Sequence, residues 1–267
     1  MVAQSFEINA TSIQPFDSSS KQLLVELSTE SVSFLLIDRQ NKKLLAVESF
    51  RGGHSKASDW ETILQQSRLL LLTELETKVI IGYPNMMPVP ASLYAPELAS
   101  SQLELFYGPA NGLFTSGDVL KELEMVIAWQ NPLEEHDFLV NHFQWVQTKH
   151  AVSILLEAYI QQTDADGQIL IYGNAAWLLL WKQGVFQLAK PVVFTSPEDI
   201  SWYLLDVCRQ FELEPTVVHW RVSGMIEEGS SLWQAIIRFV NPVSLLDSDV
   251  LLEKIPAHYF AHLIKTL

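Results

Sequence analysis

Residues 22–50 read QLLVELSTESVSFLLIDRQNKKLLAVESF. Gln22–Ser28 alternates in part, Ser31–Asp38 is rich in apolar residues, and Lys42–Phe50 follows a polar turn at Arg39–Asn41. Short apolar runs divided by polar turns predict three consecutive antiparallel strands. Arg51-Gly52-Gly53-His54 breaks the pattern. Ser58 or Asp59 can cap a helix to about Leu75, with Trp60, Ile63, Leu64 and Leu71 spaced for one buried face. Thr77–Tyr83 is a nearly continuous apolar run ended by Pro84, which predicts a strand covered on both faces.

The same order returns at residues 168–194, QILIYGNAAWLLLWKQGVFQLAKPVVF. Gln168–Gly173, Ala175–Trp181 and Val185–Phe194 read as strands. Ser196-Pro197-Glu198-Asp199 opens a helix to about Phe211: serine caps, proline suits the first turn, and acids favour the positive end. Thr216–Val222 is a further strand closed by Ser223-Gly224. A helix from Ser230 or Ser231 to about Val240, a strand Val243–Leu246 and a helix Pro256–Leu267 complete the chain. The recurrence predicts an α/β protein of two duplicated halves facing across a cleft, each a three-strand antiparallel meander followed by helix–strand units. A single mixed sheet and two unrelated domains stay open as alternatives.

Between the repeats, Pro84, Pro88, Pro90 and Pro96 punctuate an irregular insert of about residues 84–131. Within it Ala91–Ala99 reads as a short helix, and Leu103–Tyr107, Gly112–Thr115 and Glu124–Trp129 as strands. A helix over Pro132–His142, a strand over Phe143–Gln147 and a long helix from Thr148 to about Gln162 follow. Asp164-Ala165-Asp166-Gly167 reads as a polar turn between the halves. The expected organisation is a flexible arm 1–20, a first half 21–163 and a second half 164–267 with a C-terminal helix.

Composition narrows the function. The chain has 267 residues, 48% hydrophobic and 18% charged, enough to bury a core. Its 17 basic and 31 acidic residues give a net charge of −14, which opposes phosphate backbones and anionic membrane surfaces. The densest apolar stretches, Leu69–Leu72 and Ala175–Trp181, fall far short of the roughly 20 residues that span a bilayer. Cys208 is the only cysteine, so no intramolecular disulfide forms, and it reads as a small buried residue of a helix. Met1–Ser20 lacks a signal-peptide pattern, so a cytoplasmic location is expected. These features predict no nucleic-acid binding and no membrane insertion.

Three strands, helix, strand, helix, stated twice, resembles the actin, sugar-kinase and Hsp70 superfamily, whose halves are ribonuclease H-like. That resemblance implies an Asp-x-Gly signature at each first hairpin, the acid serving Mg²⁺ and the glycine admitting phosphate. Here the first hairpin carries Glu26-Leu27-Ser28-Thr29, and the second Ile171-Tyr172-Gly173-Asn174, with Ile171 or Tyr172 at the acid position. Arg221-Val222-Ser223-Gly224 stands for the superfamily's adenine-side glycine pair with a single glycine. More closely, Leu24–Leu27, Pro88–Tyr94 and Pro256–Phe260 resemble a Bacteroidetes domain-of-unknown-function family that looks like a stripped-down actin-like ATPase. The resemblance implies a scaffold or interaction module with a protein partner, without a catalytic residue and with a homo-oligomer compatible; whether it is an enzyme stays open. The alternative is a nucleotide or phosphorylated small molecule in the cleft, lined by Glu26, Ser28, Thr29, Gly173, Asn174, Ser223 and Gly224. ATP with Mg²⁺ is then the compatible cofactor.

Other constellations read as structural. His258 and His262 share a helix face at metal-binding spacing but have no further ligand near them in sequence, so no metal site is expected. His136-Asp137 and His142 flank an acidic helix. Gly-x-Ser-x-Gly, phosphate-loop and Gly-x-Gly-x-x-Gly motifs are absent. The chain carries 8 tryptophans, five of them after residue 163; most are expected in the core, with one or two on a binding patch.

Overall fold

The structure is a computed structural model, and it describes residues 3–9, 20–41, 43–52, 56–240, 243–246 and 255–264. The chain divides into two compact units. Unit 1 is mainly residues 1–153, and unit 2 is residues 154–248 with 255–266.

Unit 1 is built on a mixed sheet. Its strands are β1 (Ala3–Asn9), β2 (Lys21–Ser28), β3 (Ser31–Asp38), β4 (Lys43–Arg51), β5 (Glu76–Gly82) and β9 (Trp145–His150), in the order β1-β4-β3-β2-β5-β9. β2, β3, β4 and β1 pair antiparallel, whereas β5 runs parallel to β2 and β9 parallel to β5. After their first residue, β2 and β3 are buried along their whole length, as central strands covered on both faces must be. Helix α1 (Ala57–Gln66) joins β4 to β5 and buries Trp60 and Ile63. It ends earlier than the expected Leu75. Glu48 of β4 accepts from Ser67 Oγ at 2.6 Å, Arg68 N at 3.1 Å and Leu69 N at 3.3 Å, which draws the two backbone donors out of the helical ladder. A 3₁₀ turn at Leu69–Leu71 follows and leaves Leu71 exposed, not on the buried face.

The insert forms its own antiparallel sheet, β6 (Met86–Pro90), β8 (Met125–Pro132) and β7 (Leu113–Leu120), in that order. Leu103–Tyr107, expected as a strand, is the end of helix α2 (Pro96–Tyr107). Pro96 starts that helix, and Ala99 and Leu103, one turn apart, are its buried face. Helix α3 (Leu133–His142) follows β8. The long helix expected from Thr148 is short: β9 runs to His150, and α4 covers only Ala151–Glu157.

Unit 2 carries β10 (Ala165–Tyr172), β11 (Ala175–Lys182), β12 (Val185–Val193), β13 (His219–Gly224) and β14 (Val243–Leu245), in the order β12-β11-β10-β13-β14. The first three pair antiparallel, and β13 and β14 add in parallel. Helices α5 (Pro197–Gln210) and α6 (Ser231–Phe239) cover one face with Ile200, Leu204, Val207, Cys208 and Ile236. The expected α5 start is observed. Ser196 and Asp199 form a capping box, and four hydrogen bonds from Thr195 and Ser196 hold the Asp199 carboxyl down to about 2. The C-terminal stretch is a 3₁₀ turn, Ala257–Tyr259, then a short helix α7 (Ala261–Ile264).

Two expectations are corrected by strands. The N-terminal stretch expected as a loose arm contains β1, hydrogen-bonded to β4; residues 10–19 lie outside the described residues. Asp166 and Gly167, expected in a turn, lie inside β10. The Trp220 ring occupies the space a Cβ at Gly167 would need, and Asp166 is buried with four donors on its carboxylate. The unit boundary accordingly falls at residues 153/154, before the polar stretch.

Candidate functional site

The expected site residues fall into two sets, one in each unit. In unit 1 the first hairpin turns at Thr29-Glu30, both exposed. Glu26 lies inside β2, two residues short of its end, opposite Ser33 of β3 and Ile80 of β5, and is only 4% exposed. Ser33 in turn donates to Ser49 Oγ at 3.0 Å, so Glu26, Ser33 and Ser49 form a polar row across three strands. Ser28 is committed to the turn. Its hydroxyl meets Ser31 O at 3.2 Å and Ser31 Oγ at 3.0 Å, and accepts from Ser31 N at 3.1 Å and Glu30 N at 3.4 Å.

In unit 2 the second hairpin turns at Gly173-Asn174, also exposed, with Gly173 at φ 55°. Counted back from the turn, the counterpart of Glu26 is Leu170, not Ile171 or Tyr172 as expected. Leu170 is fully buried, between Trp177 of β11 and Ser223 of β13. Tyr172 points its hydroxyl at His262 Nε2, 2.8 Å away. Ser223 and Gly224 end β13 beside Leu170 and Ile171. Gly224 has φ 95°, and a Cβ there would run into the Ile171 carbonyl, so this glycine is fixed by backbone packing. The structure therefore brings Gly173 and Asn174 near Ser223 and Gly224, at the carboxyl ends of two parallel strands.

Unit 1 also holds a cavity of about 410 Å³ lined by Phe114, Ser116, Trp129, His136, Val140 and Thr148, among others. The His136 ring lies flat on Phe114, centroids 3.5 Å apart and 8° from parallel. Burial lowers the His136 pKa against the pull of Asp137. Behind the cavity wall, Trp129 Nε1 donates to Asp118 Oδ1 at 3.1 Å, while His150 N at 2.7 Å and Ser153 Oγ at 2.6 Å donate to its Oδ2. Burial still raises the Asp118 carboxyl. Glu135 accepts from Tyr83 Oη at 3.0 Å and Asn131 Nδ2 at 3.1 Å, and burial pushes it up to about 8. His150 accepts from Val152 N at Nδ1, so Nε2 carries the proton toward Tyr83 O; burial lowers its pKa to about 4. Ser153 faces a carboxylate and not the imidazole, so this cluster is not a nucleophile–base pair. Its chemistry is that of a buried, hydrogen-bonded core. Nothing in sequence spacing marks it, because its members come from strands and helices far apart in the chain.

The remaining candidates resolve structurally. His258 Nε2 bonds Ile226 O at 2.7 Å and His262 bonds Tyr172, so both histidines of the C-terminal stretch point inward to separate partners. Among the described residues no group of three or more His, Cys, Asp or Glu could hold a metal ion. Cys208 is buried, and its thiol is pushed up to about 11. Trp145 and Trp202 are exposed, while Trp60, Trp129, Trp177, Trp181 and Trp220 are core. No described helix is long and apolar enough to cross a membrane. Gly53 and His54 lie outside the described residues.

A family model described as "Protein of unknown function (DUF3822)" matches residues 10–243. The chain belongs to the DUF3822 family. Solved structures place this DUF3822 protein in the actin-like ATPase fold. A protein with actin-like ATPase fold and unknown function from Bacteroides thetaiotaomicron VPI-5482 is 17% identical, with 95% of this chain and 100% of that chain covered and a TM-score of 0.79. A chain of the PilM-PilN type IV pilus biogenesis complex is 12% identical, with coverages of 91% and 96% and a TM-score of 0.58. The ethanolamine utilization protein EutJ from Carboxydothermus hydrogenoformans is 9% identical, with coverages of 96% and 91% and a TM-score of 0.50. The search of curated proteins found no match.

Proposed function

We propose that this DUF3822 protein is a non-catalytic member of the actin-like ATPase fold, working as a scaffold that holds a partner protein. The observation that carries this reading is the chemistry of the two hairpins. Mg²⁺ held with a nucleotide needs carboxylate or water oxygens in an octahedral shell, and phosphate needs free donors. Glu26 is inside a strand, the Ser28 hydroxyl is already taken by its own turn, and the second hairpin offers Leu170 where an acid would stand. These residues do not fit a Mg–nucleotide.

The partner reading draws on the insert. Leu98 and Leu105, two turns apart on α2, are 52% and 83% exposed, and Phe106 beside them is 71% exposed. Such side chains gain most by being covered. A chain of the same fold is part of the PilM-PilN type IV pilus biogenesis complex, and this supports the partner reading. The test is the double substitution Leu105→Asp/Phe106→Asp. Both sites are exposed, so the variant should melt where the parent does. Crosslinking in the native cell should lose the parent's principal adduct. An unchanged adduct pattern contradicts the proposed surface.

A further inference from the structure

The strongest anomaly in the molecule is Arg221. It sits on β13 of unit 2, on the sheet face opposite the helix-covered core, in one row with Gln168 of β10 and Ser244 of β14. It is 8% exposed, and its Nε and Nη2 are buried without a hydrogen-bond acceptor. Gln168 is 6% exposed, and its Oε1 is likewise buried without a donor. The carboxylate in the next row, Asp166, does not serve Arg221. Its Oδ2 takes Tyr159 Oη at 2.8 Å, Gln162 N at 2.9 Å and Thr163 N at 3.3 Å, and its Oδ1 takes Thr163 Oγ1 at 2.9 Å. His219, on the same face, is turned to Ser244 Oγ at 3.3 Å. Burying two N–H groups of a permanently charged guanidinium without acceptors is costly. Glu48 in unit 1, equally buried, shows the usual outcome, with three donors on its carboxylate.

We infer that Arg221 and Gln168 form a binding site for a small carboxylate that carries a hydrogen-bond donor beside its carboxyl group, such as a 2-hydroxy acid. Three features select this class. Nε and Nη2 lie along one edge of the guanidinium, and their parallel N–H bonds match the two oxygens of a carboxylate. Gln168, opposite Arg221 in the strand register, has a buried Oε1 without a donor, which a hydroxyl adjacent to the carboxyl supplies. A monoanion neutralises one buried guanidinium and brings the least added repulsion into a chain of net charge −14. Ser223, two residues further along β13, shares the face and extends the polar strip toward the strand end. This site is independent of the scaffold reading and uses none of the residues on α2.

The test is the melting temperature of the full chain at constant ionic strength in sodium chloride, acetate, lactate or phosphate, each at 50 to 100 mM. Lactate should raise it by a few degrees over chloride, and acetate by less. Arg221→Met should abolish the lactate response, and without ligand should melt no lower than the parent, since it removes two buried N–H groups that lack acceptors. A saturation-transfer signal on the lactate methyl with the unmodified protein checks binding even where the variant does not fold. The proposal is overturned if lactate acts no differently from chloride and gives no transfer. It is equally overturned if phosphate alone stabilises, or if Arg221→Met melts several degrees below the parent, which would mean that the guanidinium already has its acceptor within the chain.

Discussion

The two hairpins turn over two residues each and lead from the central strand of their sheets, yet they are held in opposite ways. The first closes on side chains: Ser28 gathers the backbone N–H groups of Glu30 and Ser31 with its hydroxyl. The second closes on backbone freedom, with Gly173 in a left-handed conformation. Two residues back, the first strand carries Glu26 in a polar row with Ser33 and Ser49, whereas the second carries Leu170 against Trp177. One fold position thus accepts a buried acid or a buried aliphatic group, depending on what the neighbouring strands offer. The turn is a structural device in both, and the surroundings decide whether it can also carry chemistry.

Exchanging the chemistry of the two positions is the strongest way to break this comparison. Leu170→Asp would bury a carboxylate against Trp177, and should cost about 4 kcal/mol or more in urea unfolding. A loss below about 1 kcal/mol would mean that the second strand tolerates an acid as the first does. Gly224→Ala should cost about 2–3 kcal/mol, because φ 95° and the Ile171 carbonyl both oppose a Cβ.

The buried cluster of unit 1 adds a pH dependence that unit 2 should not match. Glu135 has its folded pKa raised from 4.5 to about 8, so the folded state holds its proton more tightly. Its stabilising effect is complete below pH 4.5 and is lost as pH rises toward 8. His150, lowered from 6.5 to about 4, acts in the opposite sense, losing stability as pH falls from 6.5 to 4. Above about pH 7.5 His150 is neutral in both states and only Glu135 of this pair changes, so stability should fall toward pH 8 with a slope of at most ~1.4 kcal/mol per pH unit. Glu135→Gln should flatten that slope; an unchanged slope would assign it elsewhere. The smallest effect belongs to the first turn. Ser28→Ala removes one hydroxyl from a partly buried network and should cost about 1 kcal/mol by urea titration.

The sequence makes most of the sheet framework legible. Apolar runs of strand length between polar turns mark β2 to β5 and β10 to β13, and Ser196-Pro197-Glu198-Asp199 marks α5 to the residue. It misleads where a polar residue is buried by tertiary partners. Asp166 and Gly167 look like a turn because residue type alone shows neither the four donors from Tyr159, Gln162 and Thr163 that meet the Asp166 carboxylate nor the Trp220 ring that fills the space beside Gly167. Leu103–Tyr107 looks like a strand because it is a short, mostly apolar run broken only by Glu104, although only Leu103 is buried and Leu105 and Phe106 face outward. Of the candidate site, the hairpin turns at Thr29 and at Gly173-Asn174 are readable directly, but the counterpart of Glu26 in the second strand is not, since register places Leu170 there and not Ile171 or Tyr172. Nor are Arg221 and Gln168, since only sheet register puts them side by side.

The most direct test of the central claim is the melting temperature of the Arg221→Met protein with and without millimolar Mg-ATP. That background silences the separate anion site and leaves both hairpins untouched. The account predicts no Mg²⁺-dependent shift. A rise of several degrees that requires Mg²⁺ and is abolished by Gly173→Val would show that the hairpins still clasp a nucleotide, and would contradict it.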